Sequence, residues 1–249
     1  MDTYTDERVP VIAEMLNLSS NIHYLAFGKP VGSTLDGAIG GESKEEKKEV
    51  TNMELMYRPK ALLQLGVNYR WSPIVLETRA DASTETKKDP YGQETNKLRA
   101  GDRAPDASIT LIASAATPQD STLHKLFDMR QHVVLVFVPA VDALVQVGQE
   151  LEAIRDLVNA GVAGVAVVLP QDTEPSAAAK STPLEGTTAA KVQLLVDKDT
   201  EARRVYDLNA SEATVTYIVV RPDGVVGAFS GDTAGIRKYF DVLKTGGRH

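Results

Sequence analysis

The stretch HVVLVFVP, from His132 to Pro139, decides the fold of this chain. It is a short and continuous apolar run that ends at a proline, a pattern typical of a strand buried on both faces in the middle of a sheet. Residues Asp142 to Asn159 follow with helical periodicity, and Gly161 marks where that helix ends. A buried strand followed at once by a helix predicts a β-α unit of an α/β domain.

The same alternation continues to the end of the chain. The predicted elements are a strand Val162 to Leu169, a strand Lys191 to Val196, a helix Thr200 to Leu208, a hairpin through Arg221-Pro222-Asp223-Gly224 and a helix Ala234 to Leu243. Asp-Gly between apolar strands is a strong hairpin signal. This order predicts an α/β fold over residues 98 to 249, namely a thioredoxin-like domain with a central mixed sheet flanked by helices.

Residues 1 to 97 read as an N-terminal helical and extended extension of that domain. Thr5 to Phe27 is a predicted helix, with apolar residues at Val9, Ile12, Met15, Leu16, Ile22 and Leu25. Val31 to Asn52 and Thr78 to Lys97 are predicted polar loops, and residues 65 to 76 are predicted to be extended. The apolar stripe of the helix must pack on its own domain, on a second copy or on another protein.

Charge and composition exclude several classes of function. The chain has 249 residues and a net charge of -7, so we expect neither a nucleic-acid partner nor an anionic membrane surface as partner. It has no apolar run long enough to span a bilayer and no signal peptide, which predicts a cytoplasmic protein. The count of zero cysteines excludes disulfides, thiolate catalysis and Cys-ligated zinc.

Four segments in register resemble a known family. These are TDERVPVIAEMLNL (5–18), LGVNYRWSPIV (65–75), LRAGDRAPD (98–106) and YIVVRPDGVVGAF (217–229). Together they are similar to the C-terminal portion of the phenol 2-monooxygenase family of FAD-dependent aromatic monooxygenases. In that family a flavin domain and a substrate domain come first, and a thioredoxin-like domain that takes part in dimer contacts comes last; the resemblance implies that this chain corresponds to the last part, without the FAD-binding domain.

The sequence lacks the motifs that bind flavin in the monooxygenase family and the cysteines that react in redox-active thioredoxin-like domains. No Gly-x-Gly-x-x-Gly turn for a flavin pyrophosphate occurs, and Arg103-Ala104-Pro105 follows Gly101-Asp102 where the later flavin motif would continue. A redox-active thioredoxin-like domain would also place Cys-x-x-Cys after its first core strand, where this chain has Val138-Pro139-Ala140-Val141-Asp142. We therefore predict no FAD site, no metal and no cofactor.

Five residues are the candidates for remaining chemistry: His23 and Tyr24 on the first helix, and Tyr69, Arg70 and Trp71 in the second family segment. Tyr and Trp offer flat apolar surface with a polar tip, Arg can hold an enolate or carboxylate, and His titrates near neutral pH. The alternative for Tyr69 and Trp71 is packing on the core, and for His23 an exposed or capping position.

Two further predictions concern residues without a catalytic assignment. His124 and His132 lack the spacing of metal ligands and are predicted to have surface roles. Asp102 and Arg103 are predicted to form a local ion pair that shapes their loop.

Three hypotheses for function follow. The first is a non-redox accessory protein that forms a homodimer, associates with a full-length monooxygenase or binds an aromatic ligand. The second is a cofactor-free isomerase or cyclase of aromatic polyketide secondary metabolism, which requires a closed apolar pocket beside the first helix and Tyr69 to Trp71. The third is a fragment of a complete FAD-dependent monooxygenase.

Overall fold

The computed structural model describes residues 2–27, 66–79, 89–91, 97–112, 118–174, 192–208 and 214–246. The predicted loop Val31 to Asn52 and most of the loop Thr78 to Lys97 lie outside these ranges. Within them, eight strands form one sheet: β1 (Leu76–Glu77), β2 (Ser108–Ile112), β3 (Gln119–Thr122), β4 (His132–Phe137), β5 (Ala163–Leu169), β6 (Val192–Asp197), β7 (Thr216–Val220) and β8 (Val226–Ser230).

The order of strands in the sheet is β1-β8-β7-β4-β5-β6-β2-β3. Strand β4 is parallel to β5 on one side and antiparallel to β7 on the other, and β7 and β8 form an antiparallel hairpin. A parallel β-α-β unit joined to an antiparallel β-β-α unit through its first strand is the thioredoxin-like topology. The predicted fold class is therefore confirmed.

The α-helices of the described residues are α1 (Asp2–Phe27), α2 (Ala143–Leu151), α3 (Arg155–Asn159), α4 (Glu201–Val205) and α5 (Thr233–Thr245). The prediction of one helix from Asp142 to Asn159 is wrong, because a 3₁₀ turn at Glu152–Ile154 divides it. Leu151, Ile154 and Leu157 are all buried. Their spacing of three residues suits the three-residue repeat of a 3₁₀ turn, which aligns these side chains toward the sheet.

Strand β4 supplies side chains to both apolar layers of the domain. Val134 and Val136 pack with α2, α3 and α5 on one face, while Val133, Leu135 and Phe137 pack with α4 on the other. Burial on both faces explains why this strand reads as a continuous apolar run.

The N-terminal residues differ from their predicted form in two ways. Helix α1 begins at Asp2, three residues before the predicted start. Within residues 66–79 only Leu76–Glu77 forms a strand, which pairs with β8 in parallel register, and turns at residues 66, 70–71 and 73–74 interrupt the rest. A division of the chain between residues 97 and 98 stays a prediction. None of the described helices is long and apolar enough to cross a membrane.

Candidate functional site

The connection from β4 to α2 occupies the position where a thioredoxin-like enzyme carries its thiols. Here it consists of a buried Val138, then Pro139, Ala140, Val141 and Asp142, and the whole chain contains no cysteine. The residue types at this position therefore supply no nucleophile of the kind that disulfide exchange requires.

A buried ion pair lies directly behind this connection. Arg203 of α4 donates from Nη1 to Asp197 Oδ2 at 3.0 Å and from Nη2 to the main-chain carbonyl of Val138 at 2.6 Å. It also donates to the carbonyls of Val168 and Leu169, both at 3.3 Å. Arg203 thus ties the carboxyl ends of β4 and β5 to α4.

The carboxylate of Asp197 accepts hydrogen bonds on both of its oxygens. It is completely buried and accepts from the main-chain N-H groups of Ala202 at 2.8 Å and Arg203 at 3.1 Å. A buried charge pair tolerates loss of solvent only when its hydrogen bonds are satisfied, as they are here. The pair therefore fixes the connection from β4 to α2 with structural bonds.

A small cavity borders the ion pair. It is lined by Phe137, Val138, Pro139, Arg203, Leu208, Thr214 and Thr216, and it has room for about one water molecule. In this structure it is too small for an aromatic substrate.

Tyr69 and Arg70, two of the candidate residues, hold the N-terminal segment to the loop that precedes β2. Tyr69 is buried, its N-H donates to the Gly101 carbonyl at 2.7 Å, and burial raises the pKa of its phenol. Arg70 donates from Nε to Asp102 Oδ1 at 2.7 Å and from Nη2 to Oδ2 at 2.9 Å. A bidentate pair of this geometry fixes both side chains.

The predicted ion pair between Asp102 and Arg103 is wrong. Asp102 pairs with Arg70 and also accepts from the main-chain N-H of Arg99 at 2.9 Å. Arg103 instead forms an isolated antiparallel bridge with Val225. The positive φ of 97° at Gly101 turns the chain toward Arg70, which adjacency in the sequence does not indicate.

Trp71 forms a hydrogen bond with helix α1. Its indole Nε1 donates to the main-chain carbonyl of Asp6 at 3.2 Å. In an α-helix that carbonyl would accept from the N-H of residue 10, but residue 10 is a proline and has none. Trp71 therefore replaces a helix hydrogen bond that Pro10 removes.

A second buried charge cluster, which the sequence did not predict, lies between α1 and the turn from β7 to β8. Arg221 donates from Nη1 to Glu7 Oε1 at 2.7 Å and from Nη2 to Glu7 Oε2 at 3.0 Å, and Ser72 Oγ donates to Glu7 Oε1 at 2.7 Å. Glu7 is 5% exposed. The sequence feature that could have indicated the burial of Glu7 is its position four residues before Val11, which places both residues on the same side of α1.

The structure does not bring the five candidates into one site. His23 is exposed near the far end of α1, about 25 Å along the helix axis from the Asp6 carbonyl that Trp71 contacts, at 1.5 Å per residue. The side chain of Tyr24 lies outside the described residues. Only Tyr69, Arg70 and Trp71 are neighbours, and the polar atoms of Arg70 and Trp71 already have protein partners.

The two histidines with predicted surface roles differ from each other. His124 is half exposed, and its Nε2 lies 3.0 Å from the Ala104 carbonyl. His132 packs edge-on against Tyr239 and Phe240, with ring centroids 5.8 and 5.2 Å away, and burial lowers the pKa of its imidazole. The surface role is wrong for His132, because the first residue of β4 faces the aromatic side chains of α5. Among the described residues, no three acidic or histidine side chains cluster as a metal site.

Comparison with known proteins adds similarity to solved structures only. No protein-family model and no curated protein matches the chain. The reduced 2-Cys peroxiredoxin of Plasmodium vivax is 15% identical with a TM-score of 0.44, over 60% of this chain and 99% of that one. The thioredoxin domain of a thiol-disulfide oxidoreductase from Bacteroides vulgatus is 14% identical with a TM-score of 0.43, over 60% and 99%. A peroxiredoxin-like protein from Aquifex aeolicus is 15% identical with a TM-score of 0.42, over 59% and 90%.

Proposed function

We propose that this protein is a non-redox accessory module, which acts by associating with protein and not by thiol or flavin chemistry. The observation that carries the proposal is the buried pair of Arg203 and Asp197 behind the connection from β4 to α2. In a redox-active domain of this topology, that region presents a reactive thiol to substrate. Here the charged groups of this pair are bound to one another and to the main chain.

The contacts of Tyr69, Arg70 and Trp71 also favour association over catalysis. A cofactor-free isomerase or cyclase needs groups that are available to a bound substrate. The Arg70 guanidinium is occupied by Asp102, and the Trp71 indole N-H by Asp6. Tyr69 packs with Val11, Val67 and Val225 in a small apolar cluster. These residues support a structural role more strongly than a ligand-binding one.

Descent from the C-terminal portion of a flavin-dependent aromatic monooxygenase belongs to the proposal as well. Its support is the four sequence segments in register and the thioredoxin-like topology of strands β4, β5, β7 and β8. On this view the partner is either a second copy or a full-length monooxygenase.

The visible absorbance spectrum of the purified protein is the first test, since a bound flavin absorbs there. We expect no flavin band. Stoichiometric flavin in the purified protein would overturn the proposal.

The second test uses the intrinsic fluorescence of Trp71, which is the single tryptophan in the chain. Phenol and larger phenolic compounds are titrated into the protein, with N-acetyl-tryptophanamide titrated in parallel as the control for inner-filter effects. We expect no saturable change. Saturable quenching together with turnover of the compound would favour the isomerase or cyclase hypothesis instead.

A further inference from the structure

Helix α1 is attached to the rest of the chain mainly through one charged side chain. The helix has 26 residues, yet among its side chains that the structure describes only Glu7 and Val11 are buried. Trp71 and Arg221 bind it at Asp6 and Glu7, close to its amino end. Burial of a single valine adds little apolar stabilisation, so the attachment depends on the carboxylate of Glu7.

That carboxylate lies in a pocket of complementary chemistry. Arg221 donates to both of its oxygens, at 2.7 and 3.0 Å, and the hydroxyl of Ser72 donates to Oε1 at 2.7 Å. The side chain of Arg221 is 11% exposed, and Ser72 is buried. A buried guanidinium fork beside a hydroxyl group is suited to recognise a carboxylate ligand. In this structure the chain itself supplies the ligand.

The apolar part of the pocket lies one helical turn further along α1. Val11 packs there in one cluster with Val67, Tyr69 and Val225. Glu7 and Val11 are four residues apart and therefore share a side of the helix. The Arg221 pocket, formed by Arg221, Ser72 and these three apolar residues, thus recognises an acidic residue followed four positions later by an apolar one.

We propose that α1 is an autoinhibitory clasp, which occupies the Arg221 pocket as a tethered ligand until a helix of a partner protein with the same acidic and apolar pair displaces it. The inference rests on the proposed function, association with protein, and it assigns the recognition site and the chemistry of the partner.

The charges around the pocket allow the clasp to open. Arg221 also donates from Nη2 to the carboxylate of Asp223, in its own turn, at 2.7 Å. When α1 leaves, Arg221 keeps this anionic partner and Glu7 enters water. A buried ion pair is costly to break when it leaves a charge without a partner, and here neither charge is left so.

A second cation explains why the occupant of the pocket must carry an acid. The guanidinium carbon of Arg8 lies 5.7 Å from the centroid of the Tyr69 ring, and that of Arg221 lies 6.0 Å from the same centroid. Arg8 belongs to α1 and Arg221 to the domain, so two like charges approach one ring from the two sides of the contact. The Glu7 carboxylate helps to offset their repulsion.

Hydrogen exchange of the full chain measures how readily the clasp opens. In the wild-type protein we expect the amides of α1 to be protected at least a hundredfold less than those of β4, because α1 opens while the sheet stays folded. Glu7→Gln keeps the length of the side chain but removes its charge, and it should speed exchange in α1 at least tenfold without changing β4. Asp6→Asn is the matched control, because Asp6 is the adjacent acid and its side chain is exposed.

A labelled peptide of residues 2–19 serves as the competing helix, and its fluorescence anisotropy reports binding to the full chain. We expect this peptide to bind the Glu7→Gln protein at least tenfold more tightly than the wild-type protein, whose own α1 holds the pocket more firmly. The same peptide with Glu7→Gln is the control, and we expect it to bind the Glu7→Gln protein at least tenfold more weakly than the unaltered peptide. Circular dichroism checks that the variant protein is folded.

Three results would overturn the inference. They are protection of α1 as high as that of β4 in the wild-type protein, equal exchange of α1 in Glu7→Gln and Asp6→Asn, and binding of the unaltered peptide to the Glu7→Gln protein that is absent or no tighter than that of the control peptide. A flavin-free protein that gives any of these results loses this site but keeps its proposed function. Stoichiometric flavin would overturn the proposed function itself.

Discussion

Trp71 donates its indole N-H to the main-chain carbonyl of Asp6, across 65 residues of sequence. Pro10 lies four residues after Asp6 inside α1 and has no N-H to donate to that carbonyl. The tryptophan therefore supplies from another segment what the helix lacks. This contact fixes α1 against residues 66–79 at the point where the helix would otherwise be weakest.

Replacing Trp71 by Phe should destabilise the protein by about 1 kcal/mol, because it removes one hydrogen bond while keeping most of the ring's packing. The cost should fall by at least half in a Pro10→Ala background, where residue 10 regains its N-H and can bond the Asp6 carbonyl within the helix. Urea unfolding followed by far-ultraviolet circular dichroism measures all four proteins of this double-mutant cycle. Equal costs of Trp71→Phe in both backgrounds would mean that the two residues are not coupled through that carbonyl.

The strands at the centre of the sheet could be predicted because burial leaves a trace in the sequence. Strand β4 is apolar from Val133 onward since both of its faces are covered, and the hairpin from β7 to β8 has an Asp-Gly turn. Strand β3, Gln119–Thr122, has no such trace, because it is a polar strand at the edge of the sheet that is half exposed. Its pairing with β2 becomes evident only in the structure.

The polar clusters could not be predicted, for a different reason. Arg221 and Glu7 are 214 residues apart, and Arg70 and Asp102 are 32 apart. Ion pairs between distant segments follow no periodicity in the sequence. Any nearby residue of opposite charge is therefore an equally good candidate partner. The prediction for Asp102 therefore selected its neighbour Arg103 and missed Arg70.

Arg203→Met should destabilise the protein by about 3 to 5 kcal/mol, since it leaves the completely buried Asp197 carboxylate without its cation. Arg204→Met is the matched control, because Arg204 is the next residue of α4 and its side chain is 70% exposed. That change should alter stability by no more than about 0.5 kcal/mol. Urea midpoints and slopes measure both, and similar losses in the two variants would contradict the role given to the ion pair.

His132 should make stability depend on pH in the weakly acidic range. Burial lowers the pKa of its imidazole from the ordinary 6.5, so the unfolded chain binds the proton more readily than the folded one. The folded state then loses stability as pH falls below about 6.5, until the lower folded pKa is passed. His132→Gln should flatten this part of the profile of unfolding free energy against pH. A steep profile that persists in His132→Gln would assign the effect to other groups.

Gly101 is a position where an added methyl group should strongly destabilise the protein, because the nearest atoms are main-chain atoms. Its φ is +97°, and a Cβ there would lie 2.5 Å from the main-chain nitrogen of Arg70, a contact that only movement of the backbone can relieve. Gly161 provides the matched comparison, because its φ is +70° but nothing lies within 4 Å of the same atom. Gly161→Ala should cost about 1 to 2 kcal/mol from backbone strain alone. Gly101→Ala should cost more by at least about 2 kcal/mol, because displacing Arg70 also breaks its bidentate bond to Asp102 and the bond from Tyr69 N-H to the Gly101 carbonyl. Equal thermal and urea stabilities of the two variants would show that residues 66–79 can move away from the loop at Gly101 without loss.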